Sequence, residues 1–329
     1  MFCYTLHRQK LFPSDKNHIL RLTSYLKLFT FLLSLAAVGV FLQPRISNFL
    51  QFDGPSPCEY DRCFFEDNVL FRHYLKTSVK PFLSAKTRLS IDAFTWWQQR
   101  NFSFYEETVD MLFGIFPPVP DLGNAKSGGN VTCALVGNSF NLKGSSYGSI
   151  IDSKDLIIRM NFAPIEGYEK DVGTKTSHHV MYPESAVDLD KSTHLVLVPF
   201  KIQDIEWLIK AFTTGFSGSS YSPIKSKIKA NKELVMVVSP AFIKYVHEVW
   251  LEEVGDYPST GFISLVLALN ICDEVSVFGF GANSRGQWNH YFEKYTDINL
   301  KTGPHAGQHE YNIIQDLDFG KIVKLYHGV

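Results

Sequence analysis

Two histidines near the carboxyl end of the sequence each precede a carboxylate at short spacing. His290 begins the segment HYFE, which ends at Glu293, and His305 begins an H-x4-E segment that ends at Glu310. The pKa of a free histidine side chain lies near neutral pH, so such a residue can take up or release a proton during a reaction. Taken alone, either spacing is common, and an isolated histidine is more often structural than catalytic.

A second set of residues is suited to binding an anion. Tyr257, Ser259, Thr260 and Gly261 belong to the segment YPSTG, which leads into the apolar run FISLVLALNIC. Ser259 or Thr260 can cap a helix that starts here. The free amide groups at the start of such a helix suit a phosphate. A plain capped core helix has the same pattern, so the triplet alone does not separate binding from structure.

A third set of polar residues follows a short apolar run. Residues 133–137 have the sequence CALVG, and Asn138, Ser139 and Asn141 come directly after them. An open α/β sheet binds its ligand at the carboxyl ends of its strands, where this turn would lie. Small polar side chains there can hydrogen-bond a phosphate or a sugar. Asparagine and serine are also frequent in ordinary turns.

Several other binding chemistries receive little support. Two Asp-x-Asp pairs can hold a divalent metal ion or be solvated loop acids, and we favour the second interpretation. These pairs are Asp188 with Asp190 and Asp316 with Asp318. The segment GFG at 279–281 lacks the third glycine of a dinucleotide fingerprint, which argues against NAD. The net charge is -1 and no basic stripe is present, so nothing favours nucleic-acid binding.

Strands and helices that alternate from Cys133 onward must position these residues. Continuous apolar runs such as LVLV predict strands that are covered on both faces. Such alternation predicts an α/β, Rossmann-like sandwich with a mostly parallel sheet. The predicted strands are 133–137, 155–161, 178–182, 195–200, 234–239, 274–280 and 321–326. The predicted helices are 145–151, 204–212, 241–252 and 260–272.

The region before this sandwich has a different pattern. Residues 58–116 are predicted to be helical, and the proline- and glycine-containing residues 117–129 are predicted to be a linker. The helix-like spacing is that of Phe71, Leu75, Val79 and Phe82. Trp96 and Trp97 are adjacent in this region. Such a pair is more often part of a core than a platform for a ligand, and we interpret it as core.

The amino-terminal residues predict a membrane anchor. Residues 26–42 are apolar except for one lysine and two hydroxyl residues, which approaches the length of a membrane helix. Basic residues predominate before this run and at its start, so the positive-inside rule predicts that residues 1–25 form a cytosolic tail. Residues 43–57 would then be a short stem, and residues 58–329 a lumenal catalytic domain. A cleaved signal peptide is the second interpretation, although no A-x-A cleavage site follows, and a buried soluble helix is the third.

The cysteines and sequons fit a lumenal domain. The sequence has five cysteines, of which Cys3 would be cytosolic. The four lumenal cysteines allow three disulfide connectivities. They are Cys58, Cys63, Cys133 and Cys272. Zinc binding is the alternative, but a lone C-x4-C without a nearby histidine pair supports it poorly. Sequons at Asn101 and Asn130 are compatible with glycosylation.

Taken together, these motifs resemble those of the animal sialyltransferases, glycosyltransferase family 29. Residues 133–185 resemble the large sialyl motif, and YPSTG with its apolar run resembles the small motif. HYFE and HAGQHE are similar to the third and fourth motifs, in the same order. The resemblance covers the chain from about Cys58 onward and is best from Cys133. The segments DVGTKTSHH, YPES, LVPFK and PAFIKYV most resemble the β-galactoside α-2,3-sialyltransferases acting on Galβ1-3GalNAc.

The resemblance implies a specific activity and location. The expected reaction moves sialic acid from CMP-sialic acid to the galactose 3-hydroxyl of Galβ1-3GalNAc on glycoproteins or glycolipids, with inversion and without a metal or other cofactor. The expected fold is a variant of the GT-A type, preceded by the membrane helix in a single-pass type II protein of the Golgi membrane. The alternatives are a sialyltransferase with another acceptor or linkage, and a catalytically weak relative that binds a CMP-sugar.

The resemblance also implies roles for individual residues. His305 is the expected base, His290 is expected to stabilise the leaving phosphate, Tyr257 to lie near the acceptor, and Glu310 to support the local structure. The residues expected to contact CMP-sialic acid are Asn138, Asn161, Tyr221, Ser259, Thr260 and Gly261.

Two departures from close relatives bear on these expectations. Relatives carry a further cysteine pair at the positions of Tyr60 and Asn130, and both cysteines are absent here. The resemblance therefore implies the disulfides Cys58–Cys63 and Cys133–Cys272. Phe140 occupies a position where relatives usually have glycine. We expect its ring to reshape the turn after 133–137 or to require a different backbone conformation.

Overall fold

The computed structural model describes residues 79–98, 101–120, 130–283, 285–294 and 304–329. They all fall in one unit, Asn68–Val329. The predicted tail, anchor and stem at 1–57 lie outside these residues, as do Cys58 and Cys63. In the part of the chain that the structure describes, no helix is long and apolar enough to cross a membrane.

A sheet of seven strands organises the described residues. In chain order the strands are β1 (Thr132–Val136), β2 (Leu156–Met160), β3 (His178–Met181), β4 (His194–Leu197), β5 (Val235–Val237), β6 (Glu274–Phe278) and β7 (Lys324–Tyr326). They are arranged in the order β5-β4-β3-β2-β1-β6-β7, and each neighbouring pair is parallel. The predicted α/β class, parallel sheet and seven strand positions are confirmed. The order reverses beside β1, because the chain first builds outward to β5 and then returns to add β6.

Apolar residues of the strands pack on the helices beside the sheet. One buried cluster contains Ala134, Ile157 and Phe278 from β1, β2 and β6. A second cluster joins residues of β3, β4 and β5 to the helices Phe102–Phe113 and Ile202–Ala211. Four of the five residues of β1 are buried, which is why its sequence is an apolar run without alternation.

The helices agree with the predictions in part. In chain order they are α1 (Ile91–Trp97), α2 (Phe102–Phe113), α3 (Gly148–Asp152), α4 (Glu169–Val172), α5 (Ile202–Ala211), α6 (Pro240–Tyr245), α7 (Thr260–Ile271) and α8 (Gly307–Phe319). The predicted helices at 145–151, 204–212 and 260–272 are confirmed as α3, α5 and α7. The predicted helix at 241–252 is α-helical only as α6 and continues as a π-helical turn, Val246–Trp250. No pattern in the sequence predicts α8.

The prediction of a helical segment over 58–116 is only partly correct. Helices α1 and α2 lie within it, but residues 79–90 contain no helix. Phe82 instead forms an isolated β-bridge with Val238, and the Leu83 N–H donates to the Val237 carbonyl at 2.8 Å. The apolar residues of this segment therefore pack at the edge of the sheet, beside β5, and not on one face of a helix.

Helix α7 and a disulfide connect the two sides of the strand-order reversal. The helix is apolar on all sides and contacts β1, β2, β3 and β6. Its first turn is capped by Ser259, whose Oγ accepts the Phe262 N–H at 3.0 Å. A disulfide joins Cys133, at the start of β1, to Cys272, directly after α7, as the resemblance implies. It holds the two elements together at the amino-terminal edge of the sheet.

Replacement of both Cys133 and Cys272 by alanine will destabilise the fold. The bridge closes a sequence separation of 139 residues. The entropic model assigns about 5 kcal/mol to the bridge of such a loop. The free energy of unfolding, measured in urea without reductant, should therefore fall by about 5 kcal/mol. Each single alanine variant serves as a control and should lose a similar amount, because either one breaks the bridge. A double variant as stable as the parent would contradict the prediction.

Candidate active site

A cleft of about 1070 Å³ lies at the carboxyl edge of the sheet, where the strand order reverses between β1 and β6. An open α/β sheet binds ligands at this position. The predicted site residues from all four motifs line this one cleft. They are Asn138, Asn161, Tyr221, Tyr257, Ser259, Thr260, Gly261, His290, His305 and Glu310. Residues that are far apart in the sequence thus meet at one site.

The turn after β1 is tied to its neighbours by side-chain amides. Asn138 Nδ2 donates to the Met160 carbonyl at 2.9 Å, which joins the ends of β1 and β2. Asn141 Nδ2 donates to the Phe280 carbonyl at 2.8 Å, which joins this turn to the one after β6. Asn138 Oδ1 is buried and has no hydrogen-bond partner among the described residues. A ligand N–H or O–H at the cleft would supply one.

The turns after β1 and β6 touch through two glycines. A Cβ atom on Gly137 would lie 2.3 Å from the Gly279 carbonyl oxygen. Gly279 has φ +69°, and a Cβ atom there would lie 2.5 Å from Leu142 Cδ1. Only residues without side chains fit such an approach. The floor of the cleft is therefore made of closely packed backbone.

Phe140 fits the turn in an ordinary backbone conformation. It begins a single 3-10 turn, Phe140–Leu142, and does not belong to the residues with positive φ. Its N–H donates to the Asn289 carbonyl at 2.8 Å, and its ring lies 5.4 Å from Lys143 Nζ. The ring therefore needs no positive φ here, because the 3-10 turn has the negative φ that any residue can adopt. A change in the turn relative to that of the glycine-containing relatives stays a prediction.

Asn161 is held in a left-handed conformation, with φ +57°. Its Oδ1 accepts the Ser185 hydroxyl at 2.9 Å, and its carbonyl lies 2.7 Å from His179 Nε2. Burial lowers the pKa of His179 to about 4, so the ring is neutral at neutral pH and donates its Nε2–H to the carbonyl. The bond from Ser185 fixes the orientation of the Asn161 amide at the border of the cleft.

His290 is positioned by backbone pairing and by Glu293. The segment forms an antiparallel bridge at Ser139, and the Tyr291 N–H donates to the Asn138 carbonyl at 3.0 Å. His290 Nδ1 lies 2.7 Å from Glu293 Oε1. Burial acts to raise the pKa of Glu293, but the hydrogen bonds and charge of His290 outweigh it and lower that pKa. The carboxylate is therefore ionised and accepts from Nδ1, so Nε2 is the nitrogen left for a ligand.

His305 is oriented by the backbone of Tyr257. Its Nδ1 lies 3.1 Å from the Tyr257 carbonyl, and its ring meets the tyrosine ring edge-on, with centroids 4.9 Å apart. A carbonyl oxygen only accepts hydrogen bonds, so Nδ1 carries the proton. In the neutral imidazole the lone pair is then on Nε2. This is the tautomer that a base acting through Nε2 requires.

Glu310 joins the fourth motif to the small motif. It lies in the first turn of α8 and is 6% exposed. Its Oε1 accepts the Ser259 N–H at 2.8 Å, and its Oε2 accepts the Ser259 hydroxyl at 2.6 Å. Burial raises the pKa of Glu310, while the two bonds from Ser259 oppose that rise. Glu310 thus positions the residue that caps α7.

Residues 82–322 match the family model described as glycosyltransferase family 29 (sialyltransferase). The chain belongs to this family. Membership confirms what the four motifs indicate, because the matched residues include every residue that lines the cleft.

Named relatives and solved structures agree with the family model. The sialyltransferase is 41% identical over 291 residues to CMP-N-acetylneuraminate-beta-galactosamide-alpha-2,3-sialyltransferase 1 of Mus musculus, covering 85% of this chain and 86% of the relative. It is 41% identical over 280 residues to CMP-N-acetylneuraminate-beta-galactosamide-alpha-2,3-sialyltransferase 2 of Rattus norvegicus, covering 82% of this chain and 80% of the relative. The crystal structure of a mammalian sialyltransferase superposes with a TM-score of 0.76 at 42% identity, covering 84% of this chain and 100% of the other. A crystal structure of a mammalian sialyltransferase in complex with Gal-beta-1-3GalNAc-ortho-nitrophenol superposes with a TM-score of 0.75 at 41% identity. It covers 84% of this chain and 100% of the other.

The sialyltransferase cleft also contains a charged group that we did not predict. Lys201 Nζ lies 3.1 Å from Glu184 Oε1 and 2.8 Å from Asp204 Oδ1. Burial raises the pKa of Asp204 to about 6. Ser220 donates its hydroxyl to Glu184, which anchors the loop that carries the 81% exposed Tyr221.

Glu184 and Lys201 come from segments whose sequences only weakly indicate a place in the cleft. Residues 182–185 are the YPES segment and residues 197–201 are LVPFK, both of which support the family resemblance. Glu184 accepts the Ser220 hydroxyl, and Ser185 donates its hydroxyl to Asn161 at 2.9 Å. The turn at 182–185 therefore holds two walls of the cleft, which no spacing in the sequence reveals.

The four acids of the two Asp-x-Asp pairs do not line the cleft. Asp188 pairs with Lys225 at 3.0 Å, and Asp190 accepts neighbouring backbone amides at 2.8 Å. Asp316 and Asp318 lie on α8, so the interpretation of this pair as loop acids is wrong. In the described ranges of the sialyltransferase, no group of three or more His, Cys, Asp or Glu is placed to hold a metal ion.

The two sequons lie on the surface of the sialyltransferase. Asn101 caps α2, and its Oδ1 accepts the Ser103 N–H at 3.0 Å. Asn130 Nδ2, the atom that would carry a glycan, donates to Glu274 Oε1 at 2.6 Å. Glycosylation at these asparagines stays a prediction.

The contact of Ser259 with Glu310 should appear as coupled stability in a double-mutant cycle. Glu310→Ala removes both hydrogen bonds, and Ser259→Ala removes the one from the hydroxyl, since the second comes from the backbone N–H. Because the two variants share the loss of the hydroxyl bond, their effects will not add. We expect a coupling of about 1 to 3 kcal/mol in the free energy of unfolding, measured in urea for all four proteins. Gln308→Ala is the control, since that exposed side chain of α8 is hydrogen-bonded to Asn312 and does not contact Ser259 or Glu310 through a hydrogen bond among the described residues. Additive losses would contradict the assignment.

Proposed function

We propose that this chain is a β-galactoside α-2,3-sialyltransferase that moves sialic acid from CMP-sialic acid to the galactose 3-hydroxyl of Galβ1-3GalNAc, with inversion and without a metal ion. The observation that carries the proposal is the single cleft that contains Asn138, Asn161, His290, His305 and the start of α7. The names of the mouse and rat relatives and the glycan in one similar structure support this donor, linkage and acceptor.

The nucleotide would lie between the turn after β1 and the start of α7. The first amides of α7, at Thr260 and Gly261, have no carbonyl partner within the helix and face the cleft. They suit the phosphate of CMP. Asn138 and Asn161 border the same space, and Asn138 Oδ1 has no hydrogen-bond partner among the described residues. The Asn161 amide nitrogen would supply a hydrogen-bond donor. Donor and acceptor groups for the cytidine or its ribose are therefore both available.

His290 would stabilise the leaving CMP. As the bond between sialic acid and the phosphate oxygen breaks, negative charge develops on the phosphate. Nε2 of His290 can donate to this charge when the ring is protonated, because Glu293 holds the ring through Nδ1. The carboxylate of sialic acid favours an oxocarbenium-like transition state, so no metal is required for the charge balance.

His305 would be the base. The acceptor 3-hydroxyl attacks the anomeric carbon of sialic acid on the face opposite to CMP, and its proton passes to His305 Nε2. One C–O bond forms and one breaks, CMP leaves with the bonding electrons, and the configuration inverts. The Tyr257 carbonyl holds His305 in the tautomer that this transfer needs. Tyr257 itself lines the cleft beside the base and would contact the acceptor.

The cellular location remains part of the proposal. We infer a single-pass type II protein of the Golgi membrane, anchored by residues 26–42, with the described unit in the lumen. The disulfide between Cys133 and Cys272 supports this location, because such bonds persist in oxidising compartments. Cys58 and Cys63 would form the second disulfide, and residues 43–57 the stem.

Incubation of the detergent-solubilised full chain with CMP-sialic acid and Galβ1-3GalNAc should give a product in which sialic acid is α2,3-linked to galactose. Galβ1-4GlcNAc should be the poorer acceptor, and EDTA should leave the rate unchanged. Linkage analysis of the purified product is the measurement. An α2,6 product would refute the linkage, loss of product in EDTA would refute the metal-free reaction, and CMP binding without turnover would indicate a binding-only relative.

His305→Ala should lower kcat by about 100- to 10,000-fold, the usual contribution of a general base. CMP binding, measured by calorimetry, should change little, because the base acts on the acceptor. His327→Ala is the matched control, since this exposed histidine does not line the cleft. A His305→Ala enzyme with full turnover would remove the residue from the role of base.

A further inference from the structure

The adjacent tryptophans of α1 have different surroundings. Trp97 is 8% exposed, belongs to the core, and donates its indole N–H to the Pro199 carbonyl at 2.8 Å. Trp96 is only half-buried, packs one side against the core, and borders the cleft. The interpretation of both residues as core is therefore incomplete, because Trp96 has an indole surface that faces the site.

A chain of contacts places Trp96 at the acceptor end of the cleft. Its ring lies 5.6 Å from the ring of His247, centroid to centroid. His247 Nε2 bonds to the Gly255 carbonyl at 2.9 Å. The next residue, Asp256, donates its N–H to the Pro304 carbonyl at 3.1 Å. Pro304 directly precedes the proposed base, so Trp96 is connected to the base through three contacts.

The backbone in this region is unusual in two ways. His247 lies in the π-helical turn Val246–Trp250, a rare element that often occurs at functional sites. The loop that follows has positive φ at Glu252 (+50°), Glu253 (+63°) and Gly255 (+87°). Such conformations cost free energy and persist where the surrounding structure enforces them. Both features serve to bring His247 between Trp96 and the Gly255 carbonyl.

We propose that Trp96 is the platform for the sugar that follows the terminal galactose of the acceptor. This inference rests on the proposed function, because His305 fixes where the reacting hydroxyl lies. The remainder of the acceptor must then extend along the cleft wall. The flat, apolar face of an indole suits the C–H face of a pyranose ring, and its polar edge tolerates water.

The neighbouring side chains favour a neutral sugar at this position. Phe200 and Tyr257 also line the cleft, with ring centroids 5.4 Å apart, and extend the aromatic wall. Asp256 lines it as well and offers a carboxylate to sugar hydroxyls. Glu252 and Glu253 are exposed on the same loop and would repel an acidic group. Aromatic faces with a carboxylate rim match a ring that has one apolar face and a hydroxyl edge.

The test compares a disaccharide with a monosaccharide acceptor in the full chain. Trp96→Ala should raise the KM for Galβ1-3GalNAc about tenfold, which corresponds to about 1.4 kcal/mol of lost binding. The kcat/KM for methyl β-galactoside and the KM for CMP-sialic acid should change less than about twofold, because neither ligand reaches the indole. Trp96→Phe should restore most of the disaccharide preference. Ile91→Ala is the control, since this 71% exposed residue of α1 does not border the cleft.

The outcomes separate this inference from the proposed function. A wild-type chain that sialylates no galactoside would refute the function itself. An active wild type whose Trp96→Ala variant loses both acceptors equally, or loses donor affinity, would overturn the platform alone. Trp96→Leu keeps the apolar packing without an aromatic face and replaces the alanine variant if that one does not fold. A Trp96→Leu enzyme with the wild-type preference for the disaccharide would also overturn the inference.

Discussion

Two hydrogen bonds between the buried Glu310 carboxylate and Ser259 hold the centre of the site together. A carboxylate removed from water is costly unless it is hydrogen-bonded, so this contact fixes the approach of α8 to the start of α7. His305 lies just before α8, and the proposed phosphate position lies at the first turn of α7. The distance between the proposed base and the proposed phosphate position therefore depends on one contact between a glutamate and a helix cap.

The rest of the site is fixed by backbone rather than by long side chains. The turn after β1 touches the turn after β6 at Gly137 and Gly279, and the His290 segment pairs with the same turn through Ser139. Every strand of the parallel sheet ends at this edge, so short connections deliver groups from distant parts of the sequence to one place. Trp96 reaches the cleft differently, from a helix that precedes the sheet.

The sheet and the motif residues could be predicted because buried parallel strands are continuous apolar runs and because the motifs have characteristic residues at the ends of those runs. Helix α8 was missed, since its sequence has few apolar positions and its first turn resembles a catalytic motif. The π-turn at His247 depends on one extra residue per turn, which no periodicity reveals. The contacts of Glu184 with Lys201 and Ser220 join segments whose proximity arises only after folding.

The tautomer of His305 has a consequence for the order of events in each cycle. In the proposed reaction this residue ends the transfer as an imidazolium, and the Tyr257 carbonyl bonded to Nδ1 has no capacity to take the surplus proton. Deprotonation must then occur at Nε2, the nitrogen that faced the glycan. In the proposed geometry the newly sialylated sugar would cover that atom until it departs. In the proposed reaction the base would therefore be regenerated only after the product has left, by exchange with bulk water through the mouth of the cleft.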